Sequence, residues 1–141
     1  MNYYLDTEFH EYQKGNWLFG KTDTIELISI GIVCEDGREY YEVCKEFDVD
    51  AAWDNRWLRD NVLVPIFFEL ANRDFHSTHF KDEWMCDGQE VTLARFQSGD
   101  EWKNDFRWFV LLLNKYGKSR SEIATGVKRF VYEGAKARTV E

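Results

Sequence analysis

Two carboxylates stand two residues apart near the start of the chain, within residues 3–9 (YYLDTEF). The stretch is typical of a short strand, and side chains alternate faces along a strand, so Asp6 and Glu8 are predicted to point the same way. Two like charges held side by side repel each other, and a bound divalent cation removes that conflict. Carboxylate oxygens suit Mg²⁺ or Mn²⁺ rather than zinc. We therefore weigh a metal site at Asp6 and Glu8 against a plain solvated strand face, which is the commoner meaning of a lone D-x-E pair.

Three predicted strands would position this pair. Residues 2–9 form the first, and residues 25–34 form a nearly continuous apolar run that is typical of a buried strand. The dipeptide Asp36-Gly37 is a strong signal for a tight hairpin, and residues 38–44 form the returning strand. Residues 10–24 are polar and contain two glycines, so we predict a loop there, with His10 as an ordinary loop residue.

Helices are predicted to follow the strands. Residues 50–63 have apolar side chains at close to helical spacing, with Asp50 as the N-cap, and Pro65 ends this element or starts the next. Residues 104–116 form a second helix, which Gly117 ends.

The last part of the chain carries a clear helix start. Ser119 and Glu122 have the spacing of a capping box, which predicts a helix that ends at Gly134. Residues 138–141 are predicted to begin a further strand. Residues 72–103 are mixed and are predicted to be an irregular insertion.

Composition restricts the class of protein. The 141 residues suit one domain, and 44% hydrophobic content excludes a disordered chain. A net charge of −8 argues against nucleic-acid binding by bulk electrostatics, although a nuclease that grips a few nucleotides through metal ions needs little positive surface. We expect no signal peptide, no membrane span, reduced cysteines and a cytoplasmic location.

Several segments together resemble the opening of a bacterial 3′–5′ exoribonuclease family. They are residues 4–9 (YLDTEF), 25–33 (IELISIGIV) and 35–41 (EDGREYY), and residues 116–123 (YGKSRSEI) are similar to the start of that family's first core helix. The family is related to RNase T and oligoribonuclease, in the DEDD branch of the RNase H-like fold. The resemblance covers residues 3 to about 48 and about 105 to 141. It implies an α/β fold in which an antiparallel three-stranded start of a mixed sheet carries flanking helices.

The resemblance also implies a chemistry. Such enzymes hold two Mg²⁺ or Mn²⁺ ions with four acidic ligands and use a His general base. Asp6 matches the ligand that bridges both ions, and Glu8 matches the ligand of the ion that carries the attacking water. Thr7, through its backbone, and Phe9, through its ring, match positions near the 3′-terminal nucleotide. The implied function is metal-dependent 3′–5′ hydrolysis of a single-stranded nucleic acid, with RNA favoured over DNA.

The sequence departs from the family pattern in its second half. The third carboxylate is expected a few residues into the strand after the capped helix, and the base and fourth carboxylate follow in an H-x-x-x-x-D arrangement. None of His10, His76 and His79 is followed by Asp five residues on. We therefore expect residues 1–141 to be a single exonuclease-like domain whose C-terminal portion is missing, with half of the catalytic site. This chain alone is expected to have no substantial exonuclease activity.

Three alternatives stay open. The first is a non-catalytic RNase H-like binding or interaction module, whose open sheet edge favours a homo-oligomer. A second is a zinc site made of His76, His79, Cys86 and Cys44, set against plain loop histidines and a buried thiol. Finally, residues 102–113 are either an exposed docking helix or, as we favour, a core helix.

Overall fold

The computed structural model describes residues 1–76 and 101–139, which divide into two compact units. The first unit contains Met1–Asp48 and the segment that follows from Gly117, and the second contains the described part of Val49–Tyr116. This division concerns packing and leaves the prediction of one domain over residues 1–141 untested. In the described ranges, no helix has the length and apolar character that crossing a membrane requires.

The first unit is built on an antiparallel sheet with strand order β1-β2-β3. The strands are β1 (Tyr3–Asn16), β2 (Gly20–Cys34) and β3 (Glu39–Val43). The predicted hairpin is confirmed: Gly37 has φ +89°, and its N–H donates to the carbonyl of Cys34 at 2.9 Å. The three-stranded antiparallel start of an α/β chain is therefore as the sequence predicts.

The first two strands are much longer than expected, and the prediction of a loop over residues 10–24 is wrong. Strand β1 pairs with β2 as far as Asn16 and Gly20, with one register shift between Glu8 and Phe9, which leaves only residues 17–19 in the turn. Strand β3 pairs only with the Ser29–Val33 part of β2. Residues 9–27, which we call the hairpin arm, therefore extend as a two-stranded ribbon beyond β3.

One helix covers one face of this sheet. Helix α5 (Arg120–Thr139) packs Phe130 against Ile32 and Cys34. The guanidinium of Arg38 donates to the carbonyl of Phe130 at 2.9 Å and lies 4.6 Å from its ring centroid. These contacts join the turn between β2 and β3 to the middle of α5.

The capping box is confirmed, but the predicted end of its helix is wrong. The hydroxyl oxygen of Ser119 accepts from the N–H of Glu122 at 3.1 Å. Gly134 does not end α5. A Cβ at Gly134 would collide with the side chains of Arg38 and Tyr3, so glycine is needed there for close packing. Residues 138 and 139 are helical rather than the start of a strand, and the last two residues of that prediction lie outside the described residues.

A short parallel contact precedes α5. The N–H of Lys118 donates to the carbonyl of Val43 at 2.8 Å, and the carbonyl of Lys118 accepts from the N–H of Lys45 at 2.9 Å. This isolated bridge, which pairs Cys44 with Lys118, adds parallel character at the end of β3.

The second unit is helical. Its elements are α1 (Val49–Asp54), α2 (Arg56–Leu58), a π-helical turn (Arg59–Leu63), α3 (Val64–His76) and α4 (Glu101–Tyr116). The single helix predicted over residues 50–63 is thus broken into three pieces. Asn55 caps α2 by accepting from the N–H of Leu58 at 3.0 Å, and Asp50 lies in the first turn of α1 rather than ahead of it.

Aromatic side chains form the core of this unit. Trp53, Phe67 and Phe109 are almost fully buried, and the Trp53 and Phe109 ring centroids are 5.4 Å apart. Pro65 lies in the first turn of α3, where its missing N–H has no helical partner to lose. The predicted helix over residues 104–116 is confirmed as α4, and it is a core helix. Of the predicted insertion, residues 72–76 and 101–103 are helical and the remainder lies outside the described residues.

Candidate functional site

Asp6 and Glu8 lie on the same face of β1. Their register is regular: Asp6 is opposite Gly31, and Glu8 is opposite Ser29. Asp6 is exposed and Glu8 is half-buried, so solvent reaches both side chains. The sequence prediction of a shared face is therefore confirmed, and the face is the one opposite α5, since the Ile32 face of β2 packs on that helix.

The surface beside Asp6 is open because of Gly31. On β3, Tyr41 is the residue opposite Gly31, so Gly31 separates Asp6 from an aromatic ring that is 39% exposed. A Cβ on Gly31 would lie 3.7 Å from the Tyr41 ring and 4.0 Å from the backbone oxygen of Asp6. The absent side chain leaves a shallow depression with a carboxylate on one side and a ring on the other.

A β-bulge lies directly beside the acidic pair. The register between β1 and β2 shifts between Glu8 and Phe9, which leaves Ile28 as an extra residue on β2. The carbonyl of Ile28 accepts from the N–H of Cys44 at 2.8 Å, so the extra residue is hydrogen-bonded to the backbone directly after β3. Bulges are frequent next to functional sites because they re-aim side chains.

His10 is the residue that the sequence analysis misplaced. It lies in β1, two residues after Glu8 and on the same face, and only 4% of it is exposed. Its ring stacks on Tyr12 with centroids 4.4 Å apart and an 18° angle between planes. The buried Nδ1 of His10 has no hydrogen-bond partner among the described residues. The 6, 8, 10 spacing was the signal, hidden by the prediction of a loop after residue 9.

Glu26 has a structural role on this face. It is opposite His10, and its carboxylate accepts from the backbone N–H of Asp48 at 2.8 Å. Burial raises the pKa of Tyr12, and the carboxylate of Glu26 raises that pKa further. The face is therefore buried where Glu26 lies opposite His10, whereas it is exposed at Asp6.

Thr7 and Phe9 are placed differently from the acidic pair. Strand alternation puts their side chains on the other face of β1, and Phe9 is 43% exposed there. The structure thus brings Asp6, Glu8 and His10 together on one face but not the ring of Phe9. The backbone of Thr7 still lies between the two carboxylates.

The donor set suits one hard cation but not two. Mg²⁺ is commonly held by one or two carboxylates, with water and substrate phosphate as its other ligands. Asp6 and Glu8 provide those two carboxylates on an accessible face. Among residues 1–76 and 101–139, no three His, Cys, Asp or Glu side chains form a group that could hold a metal. A two-ion site needs further carboxylates.

Two of the four residues of the zinc alternative lie outside the described residues. Residues 77–100, which include His79 and Cys86, are not described. Cys44 is a buried free thiol, and burial raises its pKa, which disfavours the thiolate that zinc requires. Cys34 is also buried and free.

A cleft of about 430 Å³ between β3 and α5 is a separate feature. Two of its lining residues, Tyr40 and Glu42, pair with Ile32 and Ile30 on the helix-covered side of the sheet. It therefore lies on the face of the sheet opposite Asp6 and Glu8 and does not belong to their site.

Two curated proteins are similar to part of this chain. Both are named 3′-5′ exoribonuclease, and they come from Mycobacterium tuberculosis strains CDC 1551 / Oshkosh and ATCC 25618 / H37Rv. Each is 51% identical over 63 residues, which is 45% of this chain and 31% of the relative. The matched segment thus spans about a third of the length of these relatives. No family model matches the chain. No solved structure matches it either.

Proposed function

We propose that this chain carries part of a metal-dependent 3′–5′ exoribonuclease, with Asp6 and Glu8 as metal ligands. The observation that carries the proposal is the open face on which these two carboxylates lie beside Gly31. The similarity to proteins named 3′-5′ exoribonuclease supports it. Membership of the DEDD branch, the RNase H-like fold and a cytoplasmic location belong to the same proposal.

Asp6 and Glu8 would hold Mg²⁺ or Mn²⁺ through their oxygens. When bound, such an ion lowers the pKa of coordinated water and neutralises the charge of a phosphodiester. Since the described residues provide two carboxylates, the second ion of a two-metal mechanism would need ligands from elsewhere.

Another side chain on this face would position the substrate. The exposed ring of Tyr41 can pack against a base or ribose over the depression at Gly31. RNA is the preferred substrate in this proposal because the relatives are named exoribonucleases.

Metal binding gives the first test. We would titrate Mn²⁺ into the protein and follow the free ion by electron paramagnetic resonance. Asp6→Asn and Glu8→Gln should each weaken Mn²⁺ binding at least about tenfold, because each removes a charged ligand. Glu11→Gln is the matched control: Glu11 is an exposed acidic residue of the same strand, and alternation puts it on the opposite face.

Degradation of RNA gives the second test. For this chain alone, RNA labelled at its 5′ end should shorten from its 3′ end no more than marginally in the presence of Mn²⁺, and Asp6→Asn should stop even that shortening. If Asp6→Asn and Glu8→Gln both bind Mn²⁺ as the wild type does, the metal site is refuted.

A non-catalytic RNA-binding module is the second candidate. The observation in its favour is that the described residues contain only two carboxylates at the site. Normal Mn²⁺ and RNA binding without any shortening of the RNA, even at long incubation, would establish this alternative for the 141-residue chain.

A further inference from the structure

We propose that the tip of the hairpin arm is a second contact for single-stranded RNA, at which Trp17 and Phe19 stack on bases far from the 3′ end. The proposal rests on the proposed function, because it takes the 3′ end of the same RNA to lie at Asp6 and Glu8.

The tip exposes a continuous run of large apolar side chains. Trp17 is 91% exposed, Leu18 63% and Phe19 86%. Scattered exposed apolar residues are ordinary, but three in succession at the end of a ribbon form a patch, and such patches mark interaction sites. Aromatic rings at a tip suit single-stranded nucleic acid, because every base offers a face for stacking.

The backbone holds this tip in a defined shape. Ladder pairing continues to Asn16 and Gly20, so only residues 17–19 turn the chain. Gly20 has φ +77°, a conformation that L side chains rarely adopt. A Cβ on Gly15 would collide with the backbone of Gly20, so the strands approach closely there. The three apolar residues are therefore presented by a tight turn.

The positive charge of the tip favours RNA as its binding partner. Residues 13–22 contain Lys14 and Lys21 and no acidic residue, although the whole chain has a net charge of −8. Within the described residues, neither lysine takes part in an ion pair. Because Lys14 is paired with Thr22 and Lys21 with Gly15, the two cations flank the turn on opposite faces of the ribbon. Exposed aromatics between two cations on an otherwise acidic chain fit a polyanion that carries bases.

The arm also sets the distance from the acidic pair. Trp17 lies nine positions after Glu8, which at about 3.3 Å per residue is roughly 30 Å along the strand. At about 3.4 Å per stacked nucleotide, this corresponds to roughly nine nucleotides. The tip should therefore contact RNA about nine nucleotides from the end that lies at Asp6.

Fluorescence anisotropy tests the contact. We would measure binding of 5′-fluorescein RNAs of about 4 and about 16 nucleotides in Mn²⁺, because the proposed metal holds the 3′ end at Asp6 and Glu8 and this chain alone is expected to have no substantial exonuclease activity. The double variant Trp17→Ala/Phe19→Ala should bind the longer RNA at least about fivefold more weakly, since losing even one base stack has that effect, and the shorter RNA as the wild type does. The double variant Trp17→Phe/Phe19→Tyr keeps both rings and should retain binding.

Trp57→Ala is the matched control, because Trp57 is an exposed tryptophan (68%) in α2 and outside the arm. It should leave binding of both RNAs unchanged. Equal affinities of wild type and Trp17→Ala/Phe19→Ala for the longer RNA would overturn the proposal. So would a self-association, seen by light scattering, that this double variant abolishes, since the tip would then be an interface between copies.

Photocrosslinking tests the distance. RNAs of about 16 nucleotides with a single 4-thiouridine at different positions should crosslink to residues 17–19 most strongly about nine nucleotides from the 3′ end. A flat profile would overturn the placement. Loss of Mn²⁺ binding in Asp6→Asn is measured without RNA, so failure of the proposed function and failure of the tip are recognised separately.

Discussion

Asp6 lies directly opposite Gly31 across the β1–β2 ladder, so the residue facing the candidate ligand has no side chain. We expect Gly31→Ala to fold normally, because its Cβ would meet Tyr41 only at an ordinary contact distance of 3.7 Å. Gly31→Leu should also fold, but its side chain would fill the depression and weaken Mn²⁺ binding about tenfold. Thermal melts and Mn²⁺ titrations of both variants check this. Unchanged metal affinity in Gly31→Leu would show that the depression is not used.

The turn at Asp36-Gly37 should make the free energy of unfolding depend on pH in the acid range. Hydrogen bonds from Arg38 lower the pKa of Asp36 from 3.8 to about 2, and the two side chains are 2.7 Å apart. A lowered pKa stabilises the fold above the unfolded-state value and loses that effect as pH falls towards about 2. Urea unfolding should therefore show that Asp36→Asn lowers the free energy of unfolding at neutral pH and does not change it near pH 2.

A double-mutant cycle with Arg38→Ala separates this pair from other carboxylates. The coupling between Asp36→Asn and Arg38→Ala should be present at pH 7 and absent near pH 2. A coupling that is independent of pH would contradict the assignment.

The cap of α5 should contribute measurably to stability. Ser119→Ala removes the acceptor for the N–H of Glu122, and we expect a loss of about 1 kcal/mol in the free energy of unfolding. Ser121→Ala is the control, because the hydroxyl of Thr125 uses the backbone carbonyl of Ser121 and not its side chain. Chemical denaturation of both variants gives the comparison. Equal losses in the two would mean that Ser119 has no special role.

A buried carboxylate in the second unit depends on its partners. Asp74 is 0% exposed and accepts from Lys115 Nζ at 2.7 Å and from the hydroxyl of Tyr116. The hydrogen bond to Asp74 raises the pKa of Lys115. Tyr116→Phe should lower the free energy of unfolding by about 1.5 to 3 kcal/mol, as expected for a hydrogen bond to a charged group. Tyr132→Phe, at an exposed ring, should change it by less than about 0.5 kcal/mol.

The part of the fold with a buried face could be predicted from sequence. Ile28 and Ile32 lie in a continuous apolar run, and Asp36-Gly37 is a specific turn signal, so β2, β3 and their hairpin were expected. The hairpin arm could not be, because most of its side chains are exposed and show no hydrophobic period. Its pairing is made by backbone hydrogen bonds, which leave little trace in composition.

The residues of the candidate site were also only partly predictable from the sequence. Asp6 and Glu8 were found from their spacing, since a strand with period two is enough to put them together. His10 follows the same spacing, but the predicted strand ends at residue 9 and therefore excludes it. Gly134 misled for a different reason. A glycine near a helix end usually marks a C-cap, but here it makes room for the side chains of Arg38 and Tyr3.

The bulge at Ile28 separates two parts of the hairpin that can change independently. On one side of it, the Asp6–Gly31 and Glu8–Ser29 pairs are fixed by β3 and by the core under Ile32. On the other side, none of the described residues forms a third strand beside the ribbon, so residues added or removed in cross-strand pairs would change only the length of the ribbon. Under the proposed function, inserting or deleting cross-strand pairs within residues 11–25 would change the distance between the tip and Asp6, and with it the length of RNA that the arm spans.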